Sequence, residues 1–151
     1  MFFLPLFDNN PTLTRPLITW MIIALCICGF IWQESLDFNA AHNIVYQLGF
    51  VPAVFFTQAS LPADMSLVPT WSTIFTSMFL HGGWMHIGAN MLYLWIFGDN
   101  VEASMGRLKF VLFYLLCGGA AAMAQAALDP GSTIPMIGAS GGIAGVLGAY
   151  L

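Results

Sequence analysis

The apolar residues of this chain come in long runs, hydrophobic on every face, separated by short polar stretches. From Pro16 to Gln33 there is no charge, and Leu17-Ile18-Thr19-Trp20-Met21-Ile22-Ile23-Ala24-Leu25 leaves no polar stripe, which predicts a first buried or membrane-crossing helix. Glu34 to Thr70 reads as a long linker with Glu34, Asp37 and Asp64, interrupted by Pro52, Pro62 and Pro69. Its apolar clusters, such as Val54-Phe55-Phe56, are expected to rest on a membrane surface. Trp71 to Phe97 is uncharged again but broken at Gly82-Gly83, which predicts a short interfacial helix before the glycines and helix two after them. Asp99, Glu102, Arg107 and Lys109 form the most charged segment. Phe110 to Leu128 is helix three, Asp129-Pro130-Gly131 opens a turn, and helix four starts near Gly138. Met1 to Arg15, with turn signals at Asn9-Asn10-Pro11, is a lead-in.

Composition turns these runs into a membrane protein. Of 151 residues, 59% are hydrophobic and only 7% charged, whereas a soluble domain needs roughly a quarter charged to cover its surface. This excludes an ordinary cytosolic enzyme and a disordered tail. Three Lys or Arg make no phosphate-tracking patch, so nucleic acid is not a partner. Cys26, Cys28 and Cys117 all lie in apolar runs, and their spacing suits neither a zinc site nor a disulfide framework; they read as small apolar side chains. The first run is followed by further apolar segments, so it is a retained helix rather than a cleaved signal peptide.

The cations set the expected orientation. Arg15 precedes helix one, and Arg107 and Lys109 lie between helices two and three. The stretches 34–70 and 129–137 contain no Lys or Arg. Positive-inside reasoning puts the N-terminus and the 99–109 loop in the cytoplasm. From Ala139 to Leu151 there is about 20 Å of helix, short of the roughly 30 Å hydrocarbon core. The chain therefore reads as residues 1–15, a cytoplasmic lead-in, and 16–151, a polytopic all-α transmembrane bundle truncated at its C-terminus.

Polar groups inside spans are functional candidates by default. Helix two supplies His86 and Asn90, four apart and on one face, with His81 just before the glycine break. Helix four supplies Ser140 within Gly138-Ala139-Ser140-Gly141-Gly142. Measured from Glu102 at the cytoplasmic end of helix two, His86 lies about 24 Å and Asn90 about 18 Å up the axis. With Ser140 in the first turn of helix four, the three share a depth in the outer half of the bilayer. Facing each other, they offer a nucleophile and two donors for an oxyanion. On spacing alone His86 is equally a general base for Ser140. Each piece also has a plain structural meaning: Ser140 as a helix cap or packing residue, the Gly138-x-x-x-Gly142 and Gly141-x-x-x-Gly145 patterns as close helix packing, and His86 and Asn90 as interhelical hydrogen bonders. A metal site from His81, His86 and Asn90 lacks a carboxylate or thiolate partner.

Together, Phe79-Leu80-His81-Gly82-Gly83-Trp84-Met85-His86-Ile87-Gly88-Ala89-Asn90-Met91-Leu92, then Gly98-Asp99-Asn100-Val101-Glu102 with Gly106-Arg107, and finally Gly138-Ala139-Ser140-Gly141, resemble the rhomboid family of intramembrane serine proteases. The resemblance runs from about Pro16 to the end. It implies a six-helix bundle with four helices present here, no cofactor, and transmembrane proteins in the bilayer as substrates. It makes Ser140 the nucleophile and His86 and Asn90 the oxyanion stabilisers, together with the Ser140 backbone N–H. His81 becomes a structural hydrogen bonder, and Glu102 a structural group on the cytoplasmic side with Arg107. The family's general base is a histidine on the sixth helix; the histidines of this chain are His42, His81 and His86, none after Ser140. Trp71 is followed by Ser72 where many members carry Arg. The expected location is a bacterial inner membrane, N-terminus inside, the site opening outward through a polar cavity that admits water.

Two other classes compete. A non-catalytic rhomboid-like protein that binds transmembrane clients needs no nucleophile, which the Gly138-Ala139-Ser140-Gly141 block argues against. A transporter or channel subunit needs polar groups through the full membrane depth, whereas helix three offers Gln125 and helix one little beyond Thr19 and Gln33. Zinc and aspartyl intramembrane proteases lack their motifs here.

Overall fold

A computed structural model describes residues 14–57, 59, 62 and 65–151. Most of the lead-in, and Asp64, lie outside the described residues. Helix α1 (Leu17–Ser35) starts after Pro16, which has no N–H to leave unpaired. The N–H groups of its first turn would otherwise be orphaned. The Glu102 carboxylate receives two of them: Ile18 N donates to Oε1 at 3.0 Å and Thr19 N to Oε2 at 2.8 Å. The Thr19 hydroxyl adds a third bond to Oε2 at 2.8 Å. Glu102 is therefore structural, as expected, but its partner is the positive end of α1, and Arg107 stays exposed.

The linker carries more structure than its prolines suggest. Asp37 accepts from the N–H groups of Asn39 and Ala40 and so caps α2 (Phe38–Leu48); Pro52 opens α3 (Pro52–Phe56). The short helix before the glycines is α4 (Thr73–Thr76), flanked by 3-10 turns at Thr70–Ser72 and Ser77–Phe79. Gly83, at φ +154, lets the chain turn into α5 (Trp84–Met105).

The charged 99–109 segment is not a loop. Helix α5 continues through Asp99 and Glu102 to Met105, and α6 (Arg107–Leu128) begins two residues later. Gly106 at φ +80 is the whole joint. The charges mislead because a helix end tolerates them as well as a loop does. Helix α7 (Ser140–Tyr150) follows the 129–139 segment.

Helix α7 lies between α5 and α6, and α5 also packs on α1. The shared core includes Cys26, Phe30, Leu94, Phe110, Tyr114 and Val146, all nearly inaccessible. The outside is as apolar as the inside: Leu25, Ile31 and Trp32 on α1 and Leu108, Leu112 and Leu116 on α6 are exposed. Such all-round hydrophobicity fits hydrocarbon rather than water. By length and composition, α1 and α6 are the two described helices able to cross a membrane. Helix α5 is as long as α6, but His86, Asn90, Asp99, Asn100 and Glu102 dilute its hydropathy, and α7 has 11 residues. Cys26 is buried as expected, whereas Cys28 is exposed on the apolar outside of α1; all three thiols are free.

The small-residue pattern of α7 is a contact surface against α6. A methyl group at Gly141 would lie 2.8 Å from Ala121 Cβ, and one at Gly145 2.5 Å from Cys117 Sγ. The two helices approach to a distance no larger side chain permits. The segment leading into α7 is tied to the linker: Phe50 and Met136 exchange backbone hydrogen bonds at 3.0 and 2.8 Å, and Ala53 N donates to Ser132 O at 2.9 Å. Gly138 N donates to Ser77 O at 2.9 Å, which fixes the entry to α7 against the short helical turns.

Candidate active site

Ser140 is the first residue of α7. The capping position falls to Ala139, which has no side chain to cap with, so the Ser140 hydroxyl is not occupied in the way serines at helix starts usually are. Ser140 is exposed and lines an open cavity of ≈ 490 Å³ with Ser77, Met78, Gln125 and Gly138. Its own N–H stands in the first turn of α7, where backbone donors have no partner within the helix.

His86 and Asn90 project from one face of α5 onto Gly138, two residues before Ser140. Gly138 has φ +123, and a Cβ there would lie 2.7 Å from His86 Nε2 and 3.8 Å from Asn90 Nδ2. The backbone therefore turns directly beneath both side chains, and only glycine permits it. Spacing and hydropathy do not announce this requirement for glycine at 138. The one signal the sequence offers is a glycine two residues before a serine that opens a helix.

The polar atoms of this cluster are mostly donors without acceptors. Asn90 is buried, and its Nδ2 has no partner among the described residues. Among those residues His86 makes one hydrogen bond: the N–H of Gly82 donates to its Nδ1 at 3.3 Å. A neutral imidazole that accepts at Nδ1 carries its proton on Nε2. The atom nearest Gly138 is then an N–H donor. A donor at that place suits an oxyanion, whereas a base for Ser140 needs a bare nitrogen there.

His81 is 2% exposed and its ring meets that of His86 edge to face, centroids 5.2 Å apart. Burial, reinforced by the neighbouring His86, pushes its pKa down to about 4. Neither ring nitrogen makes a well-formed hydrogen bond among the described residues, although the Phe79 backbone lies near enough to favour the protonated ring slightly. The structural hydrogen bonding expected of His81 runs instead through its backbone, which pairs with the side chain of Gln33. No group of three or more His, Cys, Asp or Glu among the described residues could hold a metal ion.

Comparison with known proteins bears on the same residues. The family model of the Rhomboid domain matches residues 68–151, which include His81, His86, Asn90 and Ser140. Over 137 residues, 91% of this chain, it is 40% identical to Rhomboid protease GluP of Bacillus subtilis (strain 168). Over 78 residues, 52% of the chain, it is 33% identical to Rhomboid-like protein 11, chloroplastic, of Arabidopsis thaliana. Over 81 residues, 54% of the chain, it is 30% identical to Putative rhomboid protease YdcA of Bacillus subtilis (strain 168). The matches cover 24%, 28% and 40% of those relatives' own lengths, so most of each relative lies outside the match.

Proposed function

The chain belongs to the rhomboid family, and from that premise we propose that its protein is an intramembrane serine endopeptidase that cuts transmembrane proteins in or near their helices. Family membership makes it an integral membrane protein. A bacterial inner membrane is part of the same proposal and rests on the family resemblance; the cytoplasmic N-terminus and the outward-opening site rest on the placement of Arg15, Arg107 and Lys109.

The observation that carries the reading is the meeting of His86 Nε2 and Asn90 Nδ2 at Gly138, beside the helix that Ser140 begins. Ser140 Oγ attacks the scissile carbonyl carbon as its proton passes to a histidine that none of these 151 residues supplies. Negative charge develops on the carbonyl oxygen, and three donors are available to it: His86 Nε2–H, the Asn90 amide and the Ser140 N–H. These groups are fixed before substrate arrives, so they stabilise the developing charge without having to reorganise. Collapse of the tetrahedral species breaks the peptide C–N bond, the amine leaves with a proton, and Ser140 retains the acyl group. Water entering by the cavity beside Ser140 then hydrolyses the ester.

Cleavage of a transmembrane reporter by the full-length protein in liposomes tests this. Ser140→Ala is expected to abolish cleavage, and Asn90→Ala to lower kcat by about 10²-fold, the effect of one lost oxyanion donor. Unchanged cleavage by Ser140→Ala would refute the assignment. A wild-type protein that binds the reporter but never cuts it would favour the client-binding role.

A further inference from the structure

Gln33 stands in the last turns of α1, 6% exposed, and its amide is engaged at both ends by one residue. Its Nε2 donates to the His81 carbonyl at 3.3 Å, and its Oε1 accepts from the His81 N–H at 3.1 Å. A side-chain amide in this position pairs with a backbone as a neighbouring strand would. His81 needs such a partner, because it lies between the last 3-10 turn and α5 and its backbone groups are buried.

The carbonyl of His81 and the N–H of Gly82 belong to the same peptide unit, which is planar and trans, so the two groups point in opposite directions. Holding the carbonyl toward α1 therefore aims the Gly82 N–H away from α1, and there it meets His86 Nδ1. Gln33 and His86 grip the two sides of one rigid plane.

We propose that Gln33 is a positioning residue for the oxyanion donor: by orienting the His81–Gly82 peptide, it keeps the proton of neutral His86 on Nε2, the atom that faces Gly138. This rests on the proposed role of His86, but it concerns where a proton sits and is measurable without catalysis. Gln33 is not among the residues that line the cavity beside Ser140. Nor does packing explain the residue, since a leucine or methionine would fill the same volume without leaving an amide to be satisfied. In a helix otherwise so apolar, a buried amide is costly unless both its ends are bonded.

The test reads the tautomer of His86 directly. The whole chain, labelled with ¹⁵N in its histidine rings and held in bilayers at pH 7.5, gives ring-nitrogen shifts that distinguish Nε2–H from Nδ1–H; His86→Gln identifies the resonances. Wild type is expected to show His86 almost wholly as Nε2–H. Gln33→Met, which keeps length and bulk but neither hydrogen bond, is expected to lower the ratio of Nε2–H to Nδ1–H about five- to tenfold, the weight of one hydrogen bond. In the full-length protein the same variant should lower kcat only as far as the Nε2–H population falls, about twofold or less, with KM unchanged, as expected for a group acting only in the transition state. Gln33→Glu keeps the bond to the His81 N–H and should fall between the two. A wild-type His86 protonated on Nδ1, or an unchanged ratio in a folded Gln33→Met protein, would overturn the proposal. If Gln33→Met fails to fold, Gln33→Glu reads the same ratio, and a wild-type ratio in that variant would overturn the proposal. If the tautomer behaves as stated while Ser140→Ala still cleaves, the assignment of Ser140 as nucleophile fails and the positioning of the His86 proton by Gln33 stands.

Discussion

Replacing Glu102 by glutamine changes one atom and should destabilise the bundle severely. Glu102 is 3% exposed and accepts three hydrogen bonds, from Ile18 N, Thr19 N and the Thr19 hydroxyl. An amide offers one oxygen. Its less costly orientation keeps that oxygen at the Oε2 position, serving both groups of Thr19, and turns the NH₂ toward Ile18 N–H. One charge-assisted bond is then lost, about 1.5–3 kcal/mol. The favourable meeting of a negative charge with the α1 N-terminus goes too, about 0.3–1 kcal/mol. The expected cost is roughly 2–4 kcal/mol. Thr19→Val removes only the hydroxyl bond and should cost about 1–2 kcal/mol. Because both changes act on one carboxylate, the double variant should fall short of the sum by at least about 0.5 kcal/mol. Reversible unfolding in mixed micelles, followed by tryptophan fluorescence and helicity, measures all three. A cost below about 0.5 kcal/mol for Glu102→Gln, or strict additivity with Thr19→Val, would refute the view that this carboxylate joins α1 to α5.

Two further outcomes follow from the site. Gly138→Ala places a methyl group 2.7 Å from His86 Nε2, where ordinary contact requires about 3.5 Å or more. The imidazole must withdraw by most of an ångström, and kcat in the reporter assay should fall about 10²-fold, with an activity above half of wild type counting against the site geometry. His81 supplies a pH dependence: its folded pKa lies near 4, below the ordinary 6.5, so the folded state binds fewer protons between those values. Its contribution is complete above about pH 6.5 and is lost as pH falls toward 4. His81→Leu, which removes the buried titrating ring, should flatten the decline over that window; an unaltered pH profile from parallel unfolding titrations would contradict it.

How much of this is legible in the sequence depends on whether a signal is local. The all-round apolar runs give α1 and α6 to within a few residues, because membrane-length hydrophobicity needs no tertiary context. His86 and Asn90 are legible as a pair because four residues along a helix is one face, and the structure does bring that face to the glycine before Ser140. The linker helices escape the pattern although Asp37 is an ordinary capping residue, since three prolines outweigh it. The α5–α6 joint escapes it because four charges resemble a loop, and a one-residue turn shows itself only through the positive φ of Gly106. Thr19 and Gln33 are visible as the polar exceptions of helix one, but the sequence suggests for them only steps on a transport pathway. Their partners, Glu102 and the His81 backbone, lie 83 and 48 residues away, and nothing in the local pattern names them.

Those two exceptions give α1 the character of a ruler. Thr19 is fixed to Glu102 at one end and Gln33 to His81 at the other, so about four turns, some 21 Å of helix, are set between two marks. Fourteen residues bring both marks back to nearly the same face of α1. Adding or removing one residue between them would turn the far mark by about 100° and shift it by about 1.5 Å, so that only one end could engage. A bilayer thicker or thinner than this helix therefore cannot be met by changing α1 between its marks. Any adjustment to lipid must fall to the flanks, the tilt of the whole bundle or the membrane itself. The height of His86 above the Glu102 end of the molecule is constant whatever membrane surrounds it.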